Sequence, residues 1–120
     1  MSEHLALVVD DHPTNRLLAM ALLKKLGWTV HEADCGETAI ALAADLAPQL
    51  ILLDISMPGL SGEMTCMRLR QAANGPDIRI LAYTAHAFPE ERERFLTAGF
   101  DDILVKPINR QRLEELVAGL

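Results

Sequence analysis

The chain lacks several features that mark whole classes of protein. It carries 11 Lys and Arg residues against 17 Asp and Glu residues, a formal net charge of −6. It therefore has no basic excess to attract nucleic acid or an anionic membrane surface. No apolar run approaches the roughly 18 residues of a transmembrane helix, and no charged and then apolar leader precedes Leu5. These absences predict a cytoplasmic location, or the cytoplasmic portion of a membrane-anchored protein.

Cysteine is also scarce. Cys35 and Cys66 form neither a CxxC pair nor another metal-ligand spacing, and we interpret them as reduced thiols of a cytosolic protein. The chain contains no low-complexity stretch, no internal linker and no repeat beyond an alternation of strand-like and helix-like segments. Its 120 residues suffice for one core and are too few for two. We therefore expect a single domain over residues 1–120.

The alternation of segments predicts the fold class. Five short apolar or β-branched runs alternate with five segments of helical periodicity, and turn residues separate them. This pattern predicts an α/β fold with a parallel sheet, right-handed crossovers and helices on both faces. The predicted strands are Leu5–Val9, Thr29–Ala33, Leu50–Leu53, Ile78–Tyr83 and Ile103–Val105, and the predicted helices are Pro13–Leu26, Glu37–Leu46, Glu63–Gln71, Pro89–Ala98 and Asn109–Val117.

Apolar residues outside the predicted strands indicate which further side chains pack into the core. Helical spacing predicts an apolar face on the first helix, which we expect to pack. Methionine commonly fills gaps in a core, and a tryptophan after a helix-ending glycine is expected to cover an edge of the core. The residues are Leu18, Ala21, Leu22 and Leu26 of the first helix, then Trp28, Met57, Met64 and Met67.

Polar side chains that can react or bind a metal ion follow four of the predicted strands. Asp10 and Asp11 follow the first strand, Asp54 the third, Thr84 the fourth and Lys106 the fifth. In an open parallel sheet, ligands bind beyond the carboxyl ends of the strands, where groups distant in sequence meet. Two acids, a third acid, a hydroxyl and a lysine suit Mg²⁺ and phosphate better than they suit a core.

Each of the acidic and hydroxyl groups also has a structural interpretation. Asp10 and Asp11 would bind Mg²⁺, or Asp11 would cap the helix that begins at Pro13. Asp54 would cap a turn, or it would attack a phosphoryl group to form an acyl phosphate. Thr84 would cap the next turn, or its hydroxyl would donate to a phosphoryl oxygen. No one of these residues decides between the two interpretations.

Lys106 is the most informative single residue. It precedes Pro107 at the start of the last helix, where the helix dipole disfavours a cation. Pairing with a phosphate or with Asp54 would explain its position, and the alternative is an exposed lysine in a loop. The peptide bond before Pro107 can be cis, which would help to aim the lysine into the site.

These motifs make a family recognisable. The chain resembles, over essentially its full length, the receiver (phosphoacceptor) domain of two-component response regulators. The resemblance implies a flavodoxin-like sheet with the strand order 2-1-3-4-5. Segments around residues 12–16 and 84–87 are similar to receivers attached to hybrid sensor kinases. The matching stretches are Val8-Val9-Asp10-Asp11, Ile51-Leu52-Leu53-Asp54 with Met57-Pro58 and Gly62, Tyr83-Thr84-Ala85, Val105-Lys106-Pro107, His12-Pro13-Thr14-Asn15-Arg16 and Thr84-Ala85-His86-Ala87.

The resemblance implies a phosphorylation switch. Asp54 would accept a phosphoryl group from a phosphohistidine of a histidine kinase or of a histidine phosphotransfer domain, while Thr84 and Lys106 would hold the phosphoryl oxygens. The domain would then relay the group, or change its affinity for a downstream output domain or protein, and would dephosphorylate itself slowly. It would turn over no separate substrate, and it would not itself contact nucleic acid or membrane.

The resemblance also implies a Mg²⁺ site. Asp11, Asp54 and the backbone carbonyl of Ser56 would bind Mg²⁺ directly, and Asp10 would act through water. A phosphatase with an aspartyl nucleophile is the alternative enzyme class, but it requires an acid two positions after the nucleophile, where this chain has Ser56. A receiver-like binding module without chemistry would be expected to lose one of the acids, the threonine or the lysine, and all are present.

Two further points concern residues near the predicted site. Receivers usually carry Tyr or Phe three residues before the lysine, and this chain has Ile103. An aliphatic side chain cannot act as the ring that swings inward, which favours a phosphorelay intermediate. No pair of histidines has a metal-ligand spacing; His86 is interpreted as a half-exposed loop residue, or as one that tunes phosphoryl lifetime.

Overall fold

The computed structural model describes residues 4–57, 59–72, 75–85 and 87–120. The described residues form one five-stranded parallel sheet in the order β2-β1-β3-β4-β5 with five helices, which confirms the predicted fold class and strand order. Pro58, Asn74 and His86 lie outside the described residues. The strands are β1 Leu5–Val9, β2 Thr29–Ala33, β3 Leu50–Asp54, β4 Arg79–Thr84 and β5 Asp102–Val105, and the helices are α1 Pro13–Lys25, α2 Gly36–Leu46, α3 Gly62–Gln71, α4 Pro89–Ala98 and α5 Arg110–Val117.

The central strands are covered on both faces. Every residue of β3 is buried, as expected for a parallel strand between two helical layers. Along β1, Leu7 and Val9 pack into one cluster with α2, α3 and α4, while Ala6 and Val8 pack into another with α1 and α5. Because strand side chains alternate between faces, a continuous apolar run fills both layers of the core.

The helices begin and end within one residue of the predicted bounds. Ser61 precedes α3 and its hydroxyl accepts a hydrogen bond from the Met64 amide, so α3 begins at Gly62 rather than Glu63. A short 3₁₀ turn at Gly75–Asp77 places Ile78 before β4 rather than inside it. No helix in the described part of the chain combines the length and apolar character that crossing a bilayer demands.

The packing face of α1 differs from the prediction. Ala19, Met20 and Leu23 are its buried residues, whereas Leu18 is 54% exposed. Apolar residues lie on several sides of α1, so spacing alone did not identify the side that the sheet covers. The crossover from β1 to β2 decides it. Of the residues expected to pack, Leu22 and Leu26 are half-buried, and Ala21 is exposed.

The methionine interpretation was also wrong in part. Met57 and Trp28 are buried, as expected, with 7% and 6% of their surface exposed. Met64 and Met67 are 44% and 45% exposed on α3. Their neighbours Thr65, Cys66 and Leu69 occupy the buried face of that helix, so the methionines lie on the opposite, solvent-facing side.

Candidate functional site

The predicted site residues meet at one edge of the sheet. Asp10 directly follows β1, and Asp54 is the last residue of β3. Thr84 ends β4 and is paired in register with Val105, so Lys106 follows at the same level. Asp10, Asp54 and Thr84 are buried, with 0%, 1% and 6% of their surface exposed. The parallel register therefore assembles a polar site from segments far apart in sequence.

The carboxylates form a compact cluster with unsatisfied oxygens. Ligand atoms of Asp10, Asp11, His12 and Asp54 all lie within 4.8 Å of one another. Asp10 Oδ1 accepts from the His12 amide at 2.9 Å, and Asp54 Oδ1 accepts from the Ser56 amide at 3.1 Å. No hydrogen bond from a described residue reaches the buried Oδ2 atoms of Asp10 and Asp54.

Buried oxygens without a donor carry a free-energy cost of about 1–3 kcal/mol each. A hard divalent cation that prefers oxygen ligands would relieve that cost at Asp10 and Asp54, so the residues present fit such an ion. The N-cap residue of α1 is His12 rather than Asp11, and among the described residues no helix amide donates to the Asp11 carboxylate, so the capping alternative has no support. Asp11 Oδ1 instead lies 3.1 Å from His12 Nδ1.

The electrostatics of Asp10 follow from the same crowding. Burial raises the pKa of the Asp10 carboxyl above its usual 3.8, and the negative charge of Asp54 raises that pKa further. The hydrogen bond from the His12 amide and the positive charge of Lys106 both lower the pKa, but less than burial raises it. Asp10 therefore carries its charge at a free-energy cost that a bound cation would reduce.

Lys106 points into this cluster. Its Nζ lies 3.3 Å from Asp54 Oδ1 and 3.8 Å from Asp10 Oδ2, and 4.8 Å from the centroid of the Tyr83 ring. The side chain is 21% exposed, so Lys106 is not the free loop lysine of the alternative interpretation. The Lys106–Pro107 peptide bond is cis, as the sequence allowed. The lysine can therefore contact an anion placed beside Asp54.

The strand ends are tied together by backbone hydrogen bonds. The Lys106 amide donates to the Thr84 carbonyl at 2.7 Å, and the Ile55 amide donates to the Tyr83 carbonyl at 3.1 Å. Burial raises the pKa of the Tyr83 hydroxyl to about 12, with smaller contributions from nearby acids, so the phenol stays neutral at physiological pH. The hydrogen bonds from the Lys106 and Ile55 amides fix the segments that follow β5 and β3 relative to the end of β4.

Sequence reasoning missed two residues of this site. Arg16 Nη1 donates to the Asp10 carbonyl at 2.7 Å, and its Nε pairs with Glu32 at 2.6 Å. Arg16 therefore holds the backbone of Asp10 from α1. His12 adds a nitrogen to the acid cluster. Its position directly after Asp10 and Asp11 was the available signal, which a search for pairs of histidines could not detect.

Ile103, at the position where receivers usually carry an aromatic residue, lies inside the core. Only 2% of its surface is exposed, and it packs in the cluster formed with α2, α3 and α4. A branched aliphatic side chain in this packed environment has no polar group to exchange between buried and exposed positions. The described structure therefore gives Ile103 a packing role.

Comparisons with known proteins agree on one family. The family described as "Response regulator receiver domain" matches residues 6–118. The signal transduction histidine-protein kinase BarA of Escherichia coli K12 is 37% identical over 111 residues, which cover 92% of this chain and 12% of that protein. The virulence sensor protein BvgS of Bordetella pertussis is 41% identical over 121 residues, covering 93% and 10% respectively. The chain thus spans about a tenth of these relatives.

Solved structures show the same fold. The chemotaxis protein CheY4 of Vibrio cholerae superposes with a TM-score of 0.90 at 27% identity, covering 95% of each chain. The receiver domain of the sensor histidine kinase PA1611 of Pseudomonas aeruginosa superposes with a TM-score of 0.87 at 33% identity, covering 96% of this chain and 94% of that one. In that structure a magnesium ion is coordinated in the active site cleft.

Proposed function

Because the chain belongs to the response regulator receiver domain family of two-component signalling, we propose that Asp54 is its phosphoryl acceptor. The donor is a phosphohistidine on a histidine kinase or a histidine phosphotransfer domain. One observation carries this proposal: the Asp54 carboxylate is buried at a strand end, 3.3 Å from the Lys106 ammonium, with one oxygen that receives no hydrogen bond from the described residues.

The arrangement supports the chemistry of the transfer. The Asp54 carboxylate attacks phosphorus, a new P–O bond forms and the P–N bond to the imidazole breaks, leaving an acyl phosphate and a histidine that takes up a proton. Lys106 pairs with the phosphoryl oxygens, and the Thr84 hydroxyl donates a hydrogen bond to one of them. Both groups stabilise negative charge where it develops. Attack by water on the acyl phosphate later returns Asp54 to its free form.

We assign Mg²⁺ as the cation of this site. Asp11, Asp54 and the Ser56 backbone carbonyl would bind it directly, and Asp10 would act through water. When bound, Mg²⁺ neutralises charge on the phosphoryl oxygens and holds donor and acceptor in line. The buried carboxylate oxygens of Asp10 and Asp54 that receive no hydrogen bond from the described residues support this assignment, as does the magnesium in the PA1611 receiver.

We place the phosphodonor on the face formed by α1 and the segment after β5. Leu17 and Leu18 of α1 are 63% and 54% exposed, and a groove of about 460 Å³ runs from Leu18 to Lys106. An exposed apolar surface continuous with a reactive site is suited to a protein that must present its histidine there. The groove is lined by Asn15, Leu18, Leu22, Tyr83, Lys106, Pro107 and Ile108.

We infer that the domain, residues 1–120, works as a relay in a cytoplasmic setting, as part of a sensor kinase or beside one. The buried Ile103 supports relay over switching through the face formed by α4 and β5, because no ring is available to change position. A downstream partner would then be a histidine protein that takes the phosphoryl group from Asp54.

Mass spectrometry of the intact chain after incubation with acetyl phosphate and Mg²⁺ tests the acceptor. A phosphate adduct is expected on the wild type and on Asp45→Asn, an exposed acid of α2 that serves as the control. The adduct should be absent from Asp54→Asn and from a sample with EDTA. A wild type that stays unmodified should be examined with beryllofluoride by NMR, where unchanged signals at Thr84 and Lys106 would reject the proposal.

A further inference from the structure

We propose that His12 is an additional ligand of the metal site, through Nδ1, and that it gives the site affinity for borderline divalent ions such as Ni²⁺ and Zn²⁺. Oxygen ligands alone favour hard ions, whereas imidazole suits Zn²⁺ and Ni²⁺. The inference rests on the metal site of the proposed function and deepens it, since it concerns which ions that site accepts.

The position of the ring nitrogen carries the inference. His12 Nδ1 lies 3.1 Å from Asp11 Oδ1 and 3.8 Å from Asp10 Oδ1. Neighbouring ligand atoms of a six-coordinate ion with bonds near 2.1 Å are separated by roughly 3 Å. The nitrogen and the Asp11 oxygen therefore stand at the separation that one shared ion requires.

A second observation shows that the cluster is built for a ligand. The Oδ2 atoms of Asp10 and Asp54 are buried and receive no hydrogen bond from the described residues. One carboxylate oxygen of each of these residues belongs, with a ring nitrogen of His12, to the group of ligand atoms that lie within 4.8 Å of one another. Buried carboxylate oxygens on one side and the accessible imidazole of His12 on the other form a site with two kinds of ligand.

The backbone explains why the ring lies there. His12 is in an extended conformation, with φ −95° and ψ 113°, directly before Pro13 begins α1. Its amide donates to Asp10 Oδ1 at 2.9 Å, which fixes the residue against the acid cluster. The side chain is 69% exposed, so it covers the solvent side of the site, where water serves equally well as a ligand of Mg²⁺.

This placement predicts different effects of His12 on different ions. Mg²⁺ retains several waters and prefers oxygen, so a water can replace the imidazole with little loss. Ni²⁺ gains from a nitrogen ligand, so its affinity should depend on His12. If His12 only orients Asp11 through their hydrogen bond, its loss should weaken the binding of both ions equally.

Calorimetric titration of the full chain with Ni²⁺ and with Mg²⁺ tests the inference. His12→Ala and His12→Gln should weaken Ni²⁺ binding at least about tenfold and change Mg²⁺ binding less than about threefold. His31→Ala is the matched control, because His31 is exposed on β2 and is not among the clustered ligands. At the site where Mg²⁺ competes with Ni²⁺, His31→Ala should bind Ni²⁺ with the same affinity as the wild type.

NMR gives an independent readout with diamagnetic Zn²⁺. The ring protons of His12 should shift and saturate at one equivalent, and excess Mg²⁺ should reverse the shift. Unchanged Ni²⁺ affinity in the His12 variants, or equal losses for Ni²⁺ and Mg²⁺, would overturn the inference while leaving the Mg²⁺ site intact. A wild type that binds neither ion would instead reject the metal site of the proposed function, and this inference with it.

Discussion

Lys106 Nζ lies 3.3 Å from Asp54 Oδ1, although 52 positions separate the two residues in the chain. The same nitrogen lies 3.8 Å from Asp10 Oδ2. A single ammonium group thus contacts two buried carboxylates whose mutual repulsion would otherwise destabilise the folded state. This contact links the stability of the domain to the groups that we propose for its chemistry.

Removing the charge of Lys106 should destabilise the chain. Lys106→Met leaves Asp10 and Asp54 buried without this cation, and the free energy of unfolding in EDTA should fall, by less than the roughly 3–5 kcal/mol of a fully buried pair because Lys106 is 21% exposed. Urea denaturation measures the change. Lys24→Met, at the exposed end of α1, should change stability by less than about 0.5 kcal/mol. Equal stability of Lys106→Met and wild type would show that the contact contributes nothing.

Replacing Asp10 by asparagine should stabilise the chain in EDTA. The neutral amide removes a charge that burial and Asp54 both disfavour, so the free energy of unfolding should rise by about 1 kcal/mol, the usual size of a single-substitution effect. Thermal denaturation should show a higher Tm for Asp10→Asn than for wild type, whereas the exposed control Asp45→Asn should match wild type. The variant should bind Mg²⁺ more weakly; a lower Tm would contradict the electrostatic argument.

The raised pKa of Asp10 also predicts a pH dependence. Between its unfolded-state pKa of 3.8 and its higher native pKa, the native state holds more protons than the unfolded state. Stability from this group therefore falls as pH rises through that window and recovers as pH falls. The stability advantage of Asp10→Asn over wild type should accordingly grow with pH above 3.8 and then level off. A difference that stays constant with pH would contradict the assigned shift.

Gly62 should tolerate no side chain. A Cβ there would lie 2.8 Å from the Asp54 carbonyl oxygen and 2.9 Å from Ile55 Cα, so Gly62→Ala must displace the loop after β3. We expect a loss of about 1–3 kcal/mol and slower phosphorylation by acetyl phosphate. In Gly27→Ala the Cβ meets no atom within 4 Å, although φ is +95°; it should lose stability through strain while keeping the wild-type phosphorylation rate.

Arg70 should be a stability residue remote from the chemistry. Its guanidinium donates to the carbonyls of Gly75 and Gly99 at 2.6 and 2.8 Å and to the Asp101 carboxylate at 2.7 Å. Arg70→Leu leaves these acceptors without that donor, which should reduce the free energy of unfolding by about 2–4 kcal/mol. Arg68→Leu, exposed on the same helix, provides the matched comparison, and similar values for the two would contradict this role.

The two cysteines should differ in reactivity. Burial raises the pKa of the Cys66 thiol to about 12, and its side chain has no exposed surface. Cys35 is partly exposed at the start of α2. Iodoacetamide at pH 8 should therefore modify Cys35 and leave Cys66 unmodified until urea unfolds the chain, because the thiolate is the reactive form. Peptide mapping of the labelled protein decides; rapid labelling of native Cys66 would contradict its burial.

The local pattern of apolar and turn residues was sufficient to predict which segments form strands and which form helices. Leu5–Val9 and Thr29–Ala33 are strands with the predicted bounds; their short length and β-branched content favour strands over helices. Local pattern failed for Leu18, which is 54% exposed. It failed again for Met64 and Met67. In each case the choice between two apolar faces of a helix depends on where the sheet lies, and spacing within the helix carries no such information.

The βα alternation and the reactive groups at the strand ends can be predicted from the amino-acid sequence, since each depends on residues adjacent in the chain. The family can be predicted in the same way, from Asp54, Lys106 and the segments around them. The folded chain was needed to show that Lys106 contacts both Asp54 and Asp10, and that the His12 ring lies beside the acids. These contacts depend on strand register and on the direction of side chains across the sheet edge, which are fixed when the whole core packs.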